Sequence, residues 1–321
     1  MNRSMSVGWL ILVFLFIVAT LAACVSQPAV RAVGSPDRAV DPAALERHVR
    51  MLSETLHPRS FENAANLDAV ADYVLAGFKN AGARTDVQVY EVDGRAYRNV
   101  IARFGPATGA LLVIGAHYDS CGDTPGADDN ASGVAGLIEL ARALATTPPA
   151  HPVELVAYTL EEPPFFRTDD MGSYRHARAL SEAKRDVRLM MSLEMIGFFR
   201  DAPGSQNYPV GALKLIYPGQ GNYIALVGGY QDFDAMRRVK GLFKGASTLP
   251  VESINAPSSV QGVDFSDHAS YWRFDMPAIM VTDTAFMRNP NYHQPGDTAD
   301  TLDYARMAQV VRGVYAVAME F

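Results

Sequence analysis

Short apolar runs alternate with helical stripes along most of the chain. Ala110–Ala116, Val153–Leu160, Arg188–Met195 and Pro277–Thr282 each read as a strand, the apolar runs among them buried on both faces. Between them, apolar positions recur at helical spacing. Val134, Ile138 and Leu140-Ala141 mark a helix over Ala131–Ala145, with further helices over Met171–Lys184 and Phe233–Phe243. Met307, Val310, Val311, Val314 and Val317 mark a closing helix. Upstream, Asp41-Pro42 is a helix start, with an N-cap Asp and Pro in the first position. Leu45, Val49, Leu52 and Leu56 share one face of that helix. Leu67, Val70, Val74 and Phe78 mark a second helix, stopped at Gly82. Val87–Val92 and Tyr97–Phe104 flank Asp93-Gly94, a hairpin signal. Ala212–Tyr217 and Tyr223–Val227 are two further strand candidates, and Ser266 stands where it can cap a short helix through Trp272. This alternation predicts an α/β fold in three layers: a central mixed, mostly parallel β-sheet flanked by helices, with an antiparallel edge.

Composition adds bounds. With 49% hydrophobic and 20% charged residues, the chain is ordinary globular material. A net charge of −7 argues against a nucleic-acid partner, which calls for a basic face. The first two dozen residues stand apart. Arg3 precedes an uncharged apolar stretch, Gly8–Leu21, too short for a confident membrane span. Leu21-Ala22-Ala23-Cys24 then resembles a bacterial lipoprotein signal. That resemblance implies removal of residues 1–23, a lipid anchor to the membrane at Cys24, a tether over 24–40 and a folded domain over 41–321. The expected location is the cell envelope, facing the periplasm or exterior. If Cys24 is acylated, Cys121 has no cysteine partner and no structural disulfide is expected. A Cys121 thiolate could bind metal, but a small buried or half-buried thiol is the favoured expectation.

The candidate chemistry gathers just past the apolar strands: His117 with Asp129, then Glu161-Glu162, then Glu194, then His293. Asp129, Glu162, Glu194, His117 and His293 make a set of two imidazoles and three carboxylates. Two divalent cations about 3.5–4 Å apart need one bridging carboxylate, plus a His and a carboxylate each. Mixed N and O donors suit Zn²⁺, two per chain, with Co²⁺ or Mn²⁺ as substitutes. Glu161 is left over as a general base. A metal lowers the pKa of water to about 7, and the base passes the proton to the leaving amine. Asp119 can accept the other N–H of His117 and fix its tautomer. Two other signals carry no weight. Asn130-Ala131-Ser132 is a glycosylation sequon inside the metal loop, and adjacent Ser266-Asp267-His268 cannot form a catalytic triad.

HYDS…GADDNASG, EE, LEMIG and YHQPGDT together resemble the M28 family of zinc exopeptidases, which includes aminopeptidases of the Aeromonas and Streptomyces type. The resemblance runs from about Asp41 to the end and implies the zinc-exopeptidase (phosphorylase/hydrolase-like) fold. By position, His117 and Glu194 would hold one zinc, Glu162 and His293 the other, and Asp129 would bridge. Asp129 is chosen over Asp128 because the family's bridging Asp stands four residues before the Gly at 133. The resemblance also implies a cis peptide at Asp129–Asn130 and an oxyanion-binding role for Tyr292. The implied substrate is a peptide with a free N-terminus, hydrolysed by an aminopeptidase. The alternatives are a single-zinc glutaminyl-cyclase-like acyltransferase and a catalytically silent binding domain. The chain departs from the pattern in two places. Glu194 stands where the best-known members carry Asp, and Pro163–Met171 is an insertion. Phe165 or Phe166 is expected to shape the pocket for the substrate's first side chain.

Overall fold

The computed structural model describes residues 12, 13, 20, 23, 25–36 and 38–321. Cys24 and its expected lipid lie outside the described residues, as does most of the leader. Among the described residues no helix is long and apolar enough to cross a membrane.

Eight strands form one mixed sheet. In chain order they are β1 (Arg84–Val92), β2 (Arg95–Phe104), β3 (Leu111–His117), β4 (Val153–Tyr158), β5 (Val187–Glu194), β6 (Ile224–Gly228), β7 (Val251–Asn255) and β8 (Ala278–Thr282). Across the sheet the order is β1-β2-β4-β3-β5-β8-β6-β7. The centre, β4-β3-β5-β8, is parallel. β1 and β2 pair antiparallel on one side, and β6 pairs antiparallel with β8 on the other.

β3, β4 and β8 are buried at every position because alternate residues enter different layers. Leu112 and Ile114 join a core with helices Pro42–Arg50, Ala64–Asn80, Gly133–Thr146, Phe233–Ala246 and Tyr304–Glu320. Leu111 and Val113 face the opposite way, toward helices Gly172–Glu182 and His268–Trp272. Parallel strands also bring their carboxyl ends to one edge, which is where the donor residues stand.

Three expectations change. Ala212–Tyr217 is not a strand: Gly211–Leu215 is a 3₁₀ turn with Leu215 exposed, and Leu213 and Tyr217 face a cleft instead of a sheet. The sequence patterning missed β7, whose burial alternates along its length. The stretch 24–40 is not loose chain over its described part. Val33 N–H donates to the Gly241 carbonyl at 2.9 Å, and buried Lys240 Nζ donates to the Ser26 carbonyl at 2.9 Å. Glycines 241 and 245 permit this approach, since a Cβ on either would meet Val33 within contact distance.

Candidate metal centre

Four of the five expected donors follow the ends of parallel strands, and Asp129 lies in the helical turn Ala127–Ser132. His117 ends β3, Glu161-Glu162 follow β4, Glu194 ends β5, and His293 lies in the loop after β8. The structure brings them together. His117 Nε2 lies 3.3 Å from Asp129 Oδ1 and 3.4 Å from Glu194 Oε2. His293 Nε2 lies 3.1 Å from both Asp129 Oδ2 and Glu162 Oε2. The two oxygens of Asp129 therefore face one imidazole each, the placement a bridging ligand needs. The Asp129–Asn130 peptide is cis. Glu161 Oε2 stands 3.9 Å from His117 Nε2, beside the first group.

Asp128 points elsewhere. Its carboxyl accepts from Gly197 N–H at 3.0 Å and Asn289 Nδ2 at 3.0 Å. Burial and the neighbouring Asp283 push it well above the carboxylate range, as expected of a carboxyl that keeps its proton.

The residues fit a divalent cation. His117, Asp129, Glu161, Glu162 and Glu194 are all buried, yet His117 Nε2 and Glu162 Oε1 have no hydrogen-bond partner. Native interiors seldom leave such atoms unmet. Burial raises Glu194, Glu161 well above its usual range, and Glu162 to about 7. Burial would lower His117, but the facing Glu194 and Glu161 carboxylates outweigh it and hold the imidazole well up. Burial likewise opposes ionisation of Asp129, yet the facing His117 and His293 imidazoles keep it below its usual value. Such a cluster is short of positive charge. Arg59 is near, but its guanidinium is spent on the carbonyls of Tyr118, Leu52, Pro125 and Gly126 at 2.7–2.9 Å.

The loops are held by side chains in roles that the sequence did not assign to them. The Asp119 carboxylate does not take the His117 N–H as expected; it accepts Glu161 N–H at 3.2 Å and Glu162 N–H at 3.0 Å. The Nδ1 of His117 lies closer to the Asp119 carbonyl, at 3.2 Å, than to its carboxylate, at 3.6 Å. Asp297 accepts from Asp128 N–H at 2.9 Å and Asp129 N–H at 3.0 Å. Asn130 donates to the Leu193 carbonyl and accepts from Gly133 and Met195 N–H. Ser266 does not cap its helix. Asp267 holds the N-cap position, and Ser266 Oγ donates to Glu194 Oε2 at 2.7 Å. The one advance signal was the polar character of these loop positions.

Beside the cluster lies an apolar cleft walled by Tyr208, Tyr217, Val227, Val263, Phe265 and Met287, with Glu194 and Tyr292 also in its lining. Tyr292 stacks on His293 with ring centroids 3.8 Å apart. Burial, then the charges of Asp129 and Glu162, raise its phenol, so the hydroxyl keeps its proton. The expectation for Phe165 is overturned: its ring packs on Phe61, at 5.3 Å between centroids, and on Tyr97. Phe166 does not line the cleft either; its ring packs on Phe265, 5.7 Å away between centroids, which does.

Comparison with known proteins agrees with this architecture. The family model for peptidase family M28 matches residues 99–318. The uncharacterized protein YfbL of Escherichia coli K12 is 52% identical over 296 residues, covering 90% of this chain and 91% of that protein. Leucine aminopeptidase 1 of Coccidioides posadasii is 28% identical over 69% of this chain, which spans only 55% of that relative's length. Among solved structures, the LapA aminopeptidase of Legionella pneumophila superposes with a TM-score of 0.70 at 21% identity, over 87% of this chain and 71% of that one. A glutaminyl cyclase of Bacteroides thetaiotaomicron superposes with a TM-score of 0.67 at 18% identity, over 90% of this chain and all of that one. At those identities the two structures speak for the fold alone.

Proposed function

Because the chain belongs to peptidase family M28, we infer that its strand-end cluster binds two zinc ions and removes N-terminal residues from peptides. The observation that carries this is the meeting of two donor groups on Asp129, with Glu161 beside them. His117 and Glu194 would hold one ion, Glu162 and His293 the other. Zinc, when bound, supplies a Lewis acid for the scissile carbonyl and lowers the pKa of water to about 7.

The protein's own groups do the rest. Glu161 accepts the proton of the attacking water and returns it to the leaving amine. The Tyr292 hydroxyl donates to the carbonyl oxygen as its charge grows. Carboxylates around Glu194 receive the substrate's α-ammonium, and the apolar cleft takes a large apolar first side chain. The leader supports a lipoprotein anchored through Cys24 in the cell envelope.

The test is an aminoacyl-anilide panel with chelator and zinc add-back, alongside metal content per chain. The expected result is release of apolar N-terminal residues, loss with chelator, and two zinc ions in the active form. A fully loaded protein that releases no amino acid, or that instead closes N-terminal glutamine with one zinc, overturns it. The intact donor set speaks against a silent binding domain.

A further inference from the structure

We propose that the Cys121 thiolate is a fourth protein ligand on the His293 side of the metal centre, which makes the two ions unequal. This rests on the metal-binding reading above. Donor atoms on Cys121, Glu162 and His293 lie within 4.8 Å of one another. Three donors of three chemical kinds converge there, and Asp129 Oδ2, the proposed bridge, lies 3.1 Å from His293 Nε2. Within the same group, Glu162 is buried and its Oε1 has no hydrogen-bond partner.

The thiol is delivered by a fixed loop. The Cys121 carbonyl accepts from Thr124 N–H at 3.1 Å and from Thr124 Oγ1 at 2.7 Å. The next residue back, buried Ser120, donates its N–H to the Arg59 carbonyl at 3.3 Å. Cys121 itself is half-buried and unpaired with any cysteine among the described residues. Bond lengths of about 2.3 Å to sulfur and 2.1 Å to nitrogen put tetrahedral donors about 3.6 Å apart. The thiol therefore has at most about an ångström to move, and on coordination it releases its proton to solvent.

The consequence is a division of labour. His293, Glu162, Asp129 and Cys121 would give one zinc four protein donors, the number found on ions that are held rather than used. His117, Glu194 and Asp129 would supply three donors and leave one position of a tetrahedral ion for water or substrate, and Glu161 stands 3.9 Å from His117 Nε2 beside them. Substrate activation then belongs to the His117 side. The soft thiolate biases the other side toward zinc.

Cobalt titration into the metal-free protein tests this without reference to activity. Two equivalents should bind, and one of them should bring a thiolate-to-cobalt charge-transfer band in the near ultraviolet. Cys121→Ser and Cys121→Ala should lack that band. Each should lose affinity at one site by about 10- to 100-fold or more, since even an outer partner of a ligand costs that much. The other site should be unchanged. Two cobalt ions bound to the unaltered protein without the band would overturn the ligand assignment and leave the two-metal reading standing. So would a Cys121→Ser protein that binds both ions as tightly. Failure of any cobalt or zinc to bind would overturn both.

Discussion

Glu161→Gln separates proton transfer from metal binding. Glu161 is buried, stands 3.9 Å from His117 Nε2, and has its backbone N–H held by Asp119. It lies outside both donor groups that could hold an ion. Glutamine keeps the volume and the backbone bond but cannot take up a proton. A positioned acid–base group contributes about 10²- to 10⁴-fold, or about 2.7–5.4 kcal/mol of barrier. The variant should therefore fold, carry the same zinc at saturation, and lose that factor in kcat. The assay is anilide hydrolysis at saturating substrate and zinc, with metal content measured on the same sample. A zinc-replete Glu161→Gln enzyme within threefold of the parent kcat would refute the general-base assignment. Equal losses of zinc and activity would instead make Glu161 a ligand.

Chelation should lower the melting temperature. Ligand at a thousand times its Kd stabilises by about 4.1 kcal/mol per site, roughly 7 °C in a domain of this size. Metal-stripped protein that melts where the loaded form does would count against a site completed by cations. Ser266→Ala removes the 2.7 Å hydrogen bond to Glu194 and should weaken one metal by about 10- to 100-fold, read by competition with a chelating dye. Unaltered affinity at both sites would show that Glu194 is held by packing alone. Gly172→Ala should cost about 1–3 kcal/mol in urea denaturation. Its Cβ would stand 2.7 and 2.8 Å from the backbone O and N of Thr159, atoms that cannot step aside. An unchanged midpoint would mean that the segment after β4 yields more readily than this packing suggests.

The centre of the sheet was legible because strands covered on both faces must be mostly apolar, as β3 and β4 are apart from His117 and the ion-paired Glu154. β7 was not, since Glu252 and Ile254 are only half-buried and Ser253 and Asn255 are polar. Ala212–Tyr217 misled for the opposite reason: its apolar residues serve a cleft, and periodicity cannot tell a cleft from a core. The five expected donors could be found because imidazoles and carboxylates past apolar strands are unusual company. Ser266, Asn130 and Asp297 could not, because their partners lie 63 to 169 residues away along the chain and serine, asparagine and aspartate are common in loops. Phe165 shows the limit of placing a side chain from its loop alone. Being near the strand end did not decide whether its ring faced the cleft or the core, and Phe61 and Tyr97 drew it to the core.

The framework residues follow from a problem common to every donor loop. Where a strand leaves the sheet, its next N–H and C=O groups lose their ladder partners, and buried ones must find others. Here each loop is satisfied by a side chain from another. Asp119, after β3, takes the N–H groups of Glu161 and Glu162, after β4. Asp297, in the His293 loop, takes those of Asp128 and Asp129. Asn130 in turn binds the backbone on both sides of Glu194, and Asp128 binds Gly197 beyond it. The same bonds that pay for burying the loops thus fix the distances between donors carried on different strands. Removing one bracket displaces a donor on a neighbouring strand while leaving its chemistry intact. Losses at these framework positions should therefore appear first in metal affinity, and in turnover only as far as the metals are lost.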